Sequence, residues 1–419
     1  MSVHLSPRAS AAPPRRVRDC SDVDPSYGGS VSSASAPMRI LTVMNCGRDE
    51  KSGMPTANAS ISSALRDLGC QVDHLYVDDY APAVHAQSLN YLLFGLATVR
   101  RVRALEKERE PYDVVQISGG DGYVAPLLRH DVRGRRRLIV SRSHGLEHRY
   151  WEVFRREVAA GRLRTTLKHR LHFGALRLKQ VELSIRGADL LNCHTREDAH
   201  YAVSRGWIRP DQVFVAPNGI DPSWLGAISE YRPRAQRMLF CGNWTWMKGP
   251  RVVVRTFLQL TKTHPDVQLT VLAGGVDRGS VLDAFDASVR DRVAVIPALS
   301  HEAVLEQARE HDMLLATSLF EGFGTAVIEA MAAGLPVVAS AAGAAPEFIE
   351  NGITGWLIPA GNADATVTAC EAVLDAGADA RRAMGAAAMR RVEGHTWPRI
   401  ASARAARYAS ELARVRAGR

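Results

Sequence analysis

The stretch from His311 to Pro359 constrains the fold more than any other part of the chain. An apolar run, Met313-Leu314-Leu315-Ala316, opens into the loop Ser318-Leu319-Phe320-Glu321-Gly322-Phe323-Gly324, which feeds directly into the helix-forming run Thr325 to Ala333. Gly334 predicts a left-handed helix cap, and Pro336-Val337-Val338-Ala339 the next buried strand. The pattern is a strand-loop-helix-strand unit with its loop at a helix N-terminus. Glycines there let backbone amides approach a ligand, and the helix dipole favours an anion, so a phosphate is the expected guest.

Two carboxylates flank that loop, Glu321 before the helix and Glu329 inside it, eight positions further on. At about 1.5 Å per helical residue they stand about 12 Å apart. The carboxylate pair of a glycosidase is separated by roughly 5 to 9.5 Å. Glu321 and Glu329 therefore suit opposite ends of one elongated ligand better than one shared bond. The competing reading is an ordinary α/β unit whose two glutamates are merely solvated.

The run Glu321-x7-Glu329 around Gly322-Phe323-Gly324, followed by Gly334-Leu335-Pro336-Val337-Val338-Ala339 and Pro346-Glu347-Phe348-Ile349-Glu350-Asn351-Gly352-x2-Gly355, resembles the retaining nucleotide-sugar glycosyltransferases of the two-domain GT-B class, family 4. Several spaced elements agree over some forty residues, which makes the match specific where a lone glycine motif would be weak. The resemblance implies two doubly wound Rossmann-like α/β domains facing across a cleft. It also implies a nucleotide-diphosphate sugar as donor substrate, with no metal and no other cofactor.

Length and composition agree with two domains, since 419 residues exceed one ordinary core. Hydrophobic residues make up 46% and charged residues 23%, as in globular proteins. No apolar run approaches the roughly 20 residues that span a bilayer, and Arg15-Arg16 precede no apolar signal core, so the expected location is cytoplasmic. The six cysteines form no C-x-x-C pair, and the histidines form no H-E-x-x-H, so reduced thiols and no metal site are expected.

Taken in order, residues 1–37 read as a disordered leader rich in Ser, Ala, Pro and Gly. The first domain, 38–222, opens on the strand Arg39 to Met44, a loop reaching Gly53, and a helix from about Asn58 to Leu68. The loop lacks G-x-G-x-x-G, which argues against a dinucleotide site. By resemblance Gly53 lies beneath the donor phosphates, and its other reading is a turn glycine. Strands Asp113 to Ser118 and Leu138 to Ser141 follow. The second leads to His144, at the end of a strand where ligands collect in open α/β sheets. By resemblance His144 contacts the donor sugar or helps set the acceptor; a purely structural histidine is the alternative.

Between Arg129 and Arg186 there are sixteen Lys or Arg against five Asp or Glu. The leucines there recur at three-to-four residue spacing, which predicts amphipathic helices. Two readings stay open: a solvated face over a buried stripe, or attraction to an anionic membrane surface or a phosphorylated, lipid-linked acceptor, peripheral at the inner face of the membrane. No nucleic-acid motif accompanies the charge.

A linker is expected over 223–237, a donor-binding domain over 238–394, and a terminal helix over 395–419 that crosses back to the first domain, the last by resemblance. The resemblance also distributes roles. Lys248 and the amides of Phe323, Gly324 and Thr325 hold the diphosphate, with Gly322 in the same loop. Glu321 binds the sugar hydroxyls and Glu329 the ribose. Backbone near Ala298 reads the base, which leaves UDP or GDP open. Asn243 departs from the pattern, because the family places Arg there and Asn carries no charge. The expected reaction is sugar transfer with retention from a nucleotide-sugar donor to a hydroxyl acceptor that the sequence does not identify. Alternatives are a nucleotide-sugar 2-epimerase on the same architecture and a non-catalytic nucleotide-sugar-binding scaffold.

Overall fold

The computed structural model describes residues 37–44, 46–47, 53–79, 87–228, 230–273, 276–297 and 299–418. Residues 1–36 of the expected leader and the base-reading position Ala298 lie outside this set.

The first domain alternates strand and helix. It runs β1 (Arg39–Met44), α1 (Gly53–Asp67), β2 (Gln71–Tyr76), α2 (Gln87–Glu108), β3 (Val114–Ser118) and β4 (Leu138–Arg142). Three helices follow, α3 (Glu147–Ala159), α4 (Leu167–Leu171) and α5 (Leu178–Gly187), then β5 (Leu190–Cys193), α6 (Arg196–Ser204) and β6 (Val213–Val215). The six strands are parallel in the order β2-β1-β3-β4-β5-β6. Their near-continuous Val, Ile and Leu content suits a sheet covered on both faces. Ile40, Val114 and Val140 pack beneath α1, while Leu41, Val115 and Ile139 pack beneath α2.

The second domain repeats the theme with β7 (Arg237–Cys241), α7 (Pro250–Thr263), β8 (Gln268–Ala273), α8 (Arg278–Leu282), β9 (Val293–Pro297) and α9 (His301–Arg309). It continues through β10 (Met313–Ala316), α10 (Thr325–Ala333), β11 (Val337–Ser340), α11 (Ala345–Phe348) and β12 (Trp356–Ile358). The helices α12 (Ala363–Leu374), α13 (Ala378–Val392) and α14 (Trp397–Arg416) complete the chain. Strand order is β12-β11-β10-β7-β8-β9, which places the reversal of winding between β7 and β10. Ligands of open α/β sheets collect at that reversal, outside the carboxyl ends of the strands.

Three local findings refine the sequence expectations. Helix α1 begins at Gly53, ahead of Asn58 where its apolar periodicity becomes visible. Pro55 sits in the first turn, where a missing N–H costs nothing. The polar segment after residue 222 is docked on the second domain: Gly226 and Ile228 donate to the carbonyls of Ala332 and Ala333, and the Tyr231 hydroxyl donates to Gly334 O at 2.7 Å. The leucine stripe of the basic region divides. Leu178, Val181 and Ile185 are buried, whereas Leu167 is 72% and Leu171 57% exposed. The buried half serves the core, and the exposed half stands on α4 beside Lys168 and Arg170. Among the described residues no helix is long and apolar enough to cross a membrane.

Candidate functional site in the cleft

The site is assembled at the winding reversal of the second sheet. The loop after β7 carries Asn243 and Lys248, and the loop after β10 carries Glu321 to Gly324. Thr317, fully buried, ties the two loops together by donating its hydroxyl to Lys248 O at 2.9 Å. The Leu319 amide adds a bond of 2.6 Å to Met247 O. These contacts bring Lys248 Nζ onto Glu321 Oε1 as an ion pair, and Ser318 Oγ donates to that same oxygen at 2.8 Å. Gly324 caps α10 in the left-handed region at φ +93°, a conformation that leaves the first turn of α10 facing the loop.

Glu329 lies on α10, where its Oε1 contacts His301 Nε2 at 2.7 Å. That hydrogen bond raises the His301 pKa, offsetting the opposing effect of partial burial. Both carboxylates of the Glu321-x7-Glu329 pair therefore face a cationic or protonatable partner on a different element. Asn243 is exposed, and its carbonyl accepts from Thr245 N at 2.8 Å.

The first domain closes over this loop. A Cβ built on Gly322 would lie 1.6 Å from His144 O, so only glycine permits the approach of the two backbones. Nearby, Asn218 Nδ2 donates to Thr325 Oγ1 at 3.3 Å, and Arg196 N to Glu347 Oε1 at 2.8 Å. Trp246 and Phe320 of the second domain meet Tyr150 of α3 at centroid distances of 5.6 and 5.8 Å. The aromatic contacts and hydrogen bonds hold the two domains face to face.

His144 sits at this junction. Its Nδ1 lies 3.5 Å from His194 Nε2, and its Nε2 lies 3.3 Å from Ser118 Oγ. Burial, with repulsion from Arg142, His194 and Arg404, holds the His144 pKa well below the usual imidazole range. Burial likewise pushes His194 down to about 3. Both rings are thus neutral. His194 donates through Nδ1 to Ala216 O at 2.8 Å, so its Nε2 is the acceptor for His144 Nδ1–H. The relay leaves His144 Nε2 as an acceptor.

Of the residues expected from sequence, the structure gathers Lys248, Glu321, Gly322, Phe323, Gly324, Thr325 and His144 at one junction, with Gly53 opening α1. The Met54 side chain and His144 line one cavity. His194, Asn218, His301 and Glu347 were not among the expected residues. His194 follows β5 as His144 follows β4, so the same strand-end reasoning would have found it; His301 carries no local signal. Among the described residues, no group of three or more His, Cys, Asp or Glu is placed to hold a metal.

Two parallel-sheet Rossmann-like domains facing across such a cleft constitute the GT-B fold. Residues 229–391 match the family model of glycosyl transferases group 1. The chain is similar to the D-inositol 3-phosphate glycosyltransferase of Pseudarthrobacter chlorophenolicus, 30% identical over 233 residues, which cover 52% of this chain and 55% of that protein. The chain thus spans about half the length of the curated relatives it matches. Among solved structures, sucrose-phosphate synthase from Thermosynechococcus elongatus superposes with a TM-score of 0.72 at 19% identity, covering 90% of this chain and 100% of that one. HepE from Anabaena, in complex with UDP and glucose, gives 0.63 at 16% identity, covering 89% and 99%.

Proposed function

We propose that this protein is a glycosyltransferase that moves a sugar from a nucleotide-diphosphate donor to an acceptor hydroxyl with retention of configuration. The observation that carries the reading is the meeting of Lys248, Glu321 and the capped start of α10 at the winding reversal, beneath the backbone of His144. The family match of residues 229–391 supports it.

On this reading the diphosphate lies on the N-terminus of α10 and draws Lys248 from Glu321. Glu321 is then released to accept hydroxyls of the sugar, and Glu329 accepts from the ribose while His301 holds its other side. The bond between the anomeric carbon and the phosphate oxygen breaks, with its electron pair leaving on the nucleoside diphosphate. The acceptor oxygen attacks from the same face, and its proton passes to the departing phosphate. Lys248 offsets the charge that develops there. Closure of the two domains excludes water from the reacting carbon.

The test is a thermal-shift screen with UDP, GDP and ADP, followed by incubation with the matching nucleotide sugars. A ligand at 100 times its Kd adds about 2.7 kcal/mol of stability. The expected result is a clear shift with one nucleotide family and release of that diphosphate only when an acceptor is supplied. Conversion of the donor to its epimer without release would assign the 2-epimerase activity instead. Binding without any product would leave a scaffold.

A further inference from the structure

One aromatic ring of the first domain grips both loops that carry the Lys248–Glu321 ion pair. Tyr150 of α3 meets Trp246 at a centroid distance of 5.6 Å and Phe320 at 5.8 Å. Trp246 stands two positions before Lys248, and Phe320 directly precedes Glu321. Behind the Tyr150 ring lie Phe154 and Phe173, at 6.2 and 5.4 Å, and Phe154 itself reaches Trp246 at 5.8 Å. Phe154 is buried, so Tyr150 bears on the second domain from a packed base. Trp246 in turn packs into the first-domain cluster of Trp151, Phe154 and Leu178, although it belongs to a loop of the second domain.

Lys248 depends on such a support. It ends a single 3-10 turn, Trp246–Lys248. The C-terminal side of that turn is fixed within the second domain. Gly249 follows it at φ +68°, and a Cβ there would lie 2.1 Å from Thr317 O. The N-terminal side has less to hold it. Thr245 precedes the turn without a side-chain capping bond, and a 3-10 turn has poorer hydrogen-bond geometry than an α-helix. The indole of Trp246, packed on Tyr150 and Phe154, anchors that end. A lysine is a point charge on a flexible four-carbon stem, so the place of its backbone decides what the ammonium can reach.

We propose that Tyr150 is a positioning residue for Lys248: when the domains close, Trp246 docks on Tyr150, and the docked turn presents the Lys248 ammonium to the anionic part of the donor. The inference rests on the glycosyltransferase reading, which makes that anion a diphosphate. Tyr150 acts through the turn and not on the ligand. The competing role is an interface ring that only helps the two domains adhere. The two roles differ in one measurable respect. A positioning residue has nothing left to position once Lys248 is removed, whereas an interface ring costs the same whatever stands at 248.

The experiment measures binding of UDP, GDP and ADP to the full chain by titration calorimetry, for wild type, Tyr150→Ala, Lys248→Ala and the double variant. Lys248→Ala is expected to bind the preferred nucleotide about tenfold or more weakly, the loss typical of a charged hydrogen bond. Tyr150→Ala should approach that loss without exceeding it, and the double variant should bind as Lys248→Ala does. Tyr150→Phe keeps the ring and should bind as the wild type does. Trp246→Ala opens the same contact from the other side, should match Tyr150→Ala, and carries the test if Tyr150→Ala does not fold. Losses that multiply in the double variant would overturn the proposal and leave an interface ring. Wild-type affinity in both Tyr150→Ala and Trp246→Ala would overturn it too, as would a Tyr150→Phe variant as weak as Tyr150→Ala. If the wild type binds none of the three nucleotides, the glycosyltransferase reading fails and the proposal falls with it. If the wild type binds one and the losses multiply, only the proposal fails.

Discussion

Lys248 and Glu321 satisfy one another, and that pairing sets what their removal should do. Glu321→Ala leaves an unpaired cation where the diphosphate is expected, and Lys248→Ala leaves the departing phosphate without its offsetting charge. Each variant should lower turnover by about 10²- to 10³-fold, the loss of one well-placed electrostatic contact, with little change in melting temperature. Steady-state kinetics beside a melting curve checks both. His194 supports a different prediction. Its folded pKa, about 3, lies below the unfolded value near 6.5. Above pH 6.5 neither state takes up the proton and His194 does not affect stability. As pH falls below 6.5 the unfolded chain binds a proton that the folded chain refuses, so stability drops until about pH 3. At pH 5 the penalty is about 2 kcal/mol. His194→Gln, which can still donate to Ala216 O, should lose less stability than the wild type between pH 7.5 and 5 in denaturant titrations. Equal losses would show that the buried ring is not what titrates.

Among the elements, α14 does most to hold the first domain together from a distance in sequence. Ile400, Ala401, Tyr408 and Leu412 pack into the core formed by β1, β3, β4 and α1. The Tyr408 hydroxyl donates to Gln116 Oε1 at 2.5 Å and accepts from Asn192 Nδ2 at 3.1 Å, spanning β3 and β5. Tyr408→Phe would leave both buried amides without that partner at nearly constant volume. The expected loss is about 1 to 3 kcal/mol, measured by chemical denaturation. The terminal helix that became α14 was expected from the resemblance, but the partners of its Tyr408 hydroxyl were not, since they lie more than two hundred residues away. The basic region shows the same limit. Leucine spacing announced amphipathic helices, yet spacing alone does not say which turns meet a neighbour. Packing buries Leu178, Val181 and Ile185 and leaves Leu167 and Leu171 exposed.

For the molecule as a whole the decisive contact is the closure of one domain on the other. Gly322 and His144 approach without room for a single methyl group. Gly322→Ala should therefore hold the domains apart while leaving each sheet intact. The expected outcome is a fall in turnover of about 10²-fold, in line with a misplacement of about 1 Å at a reacting centre. Small-angle scattering should report a larger radius of gyration than the wild type. An unchanged radius with normal turnover would mean that this closed arrangement is not the working one.

The sequence by itself determined the strand-loop-helix-strand unit at Met313 to Ala339, the left-handed cap at Gly334, and the alternation that builds two parallel sheets. Those features depend on local periodicity and on backbone freedom at single residues, which neighbours in the chain express directly. Tertiary structure alone decided that His301 holds Glu329, that His194 sets the tautomer of His144, and that Arg142 is buried beside Arg404. Charge compensation and proton placement depend on distance in space, and residues far apart in sequence acquire that distance only when the chain folds.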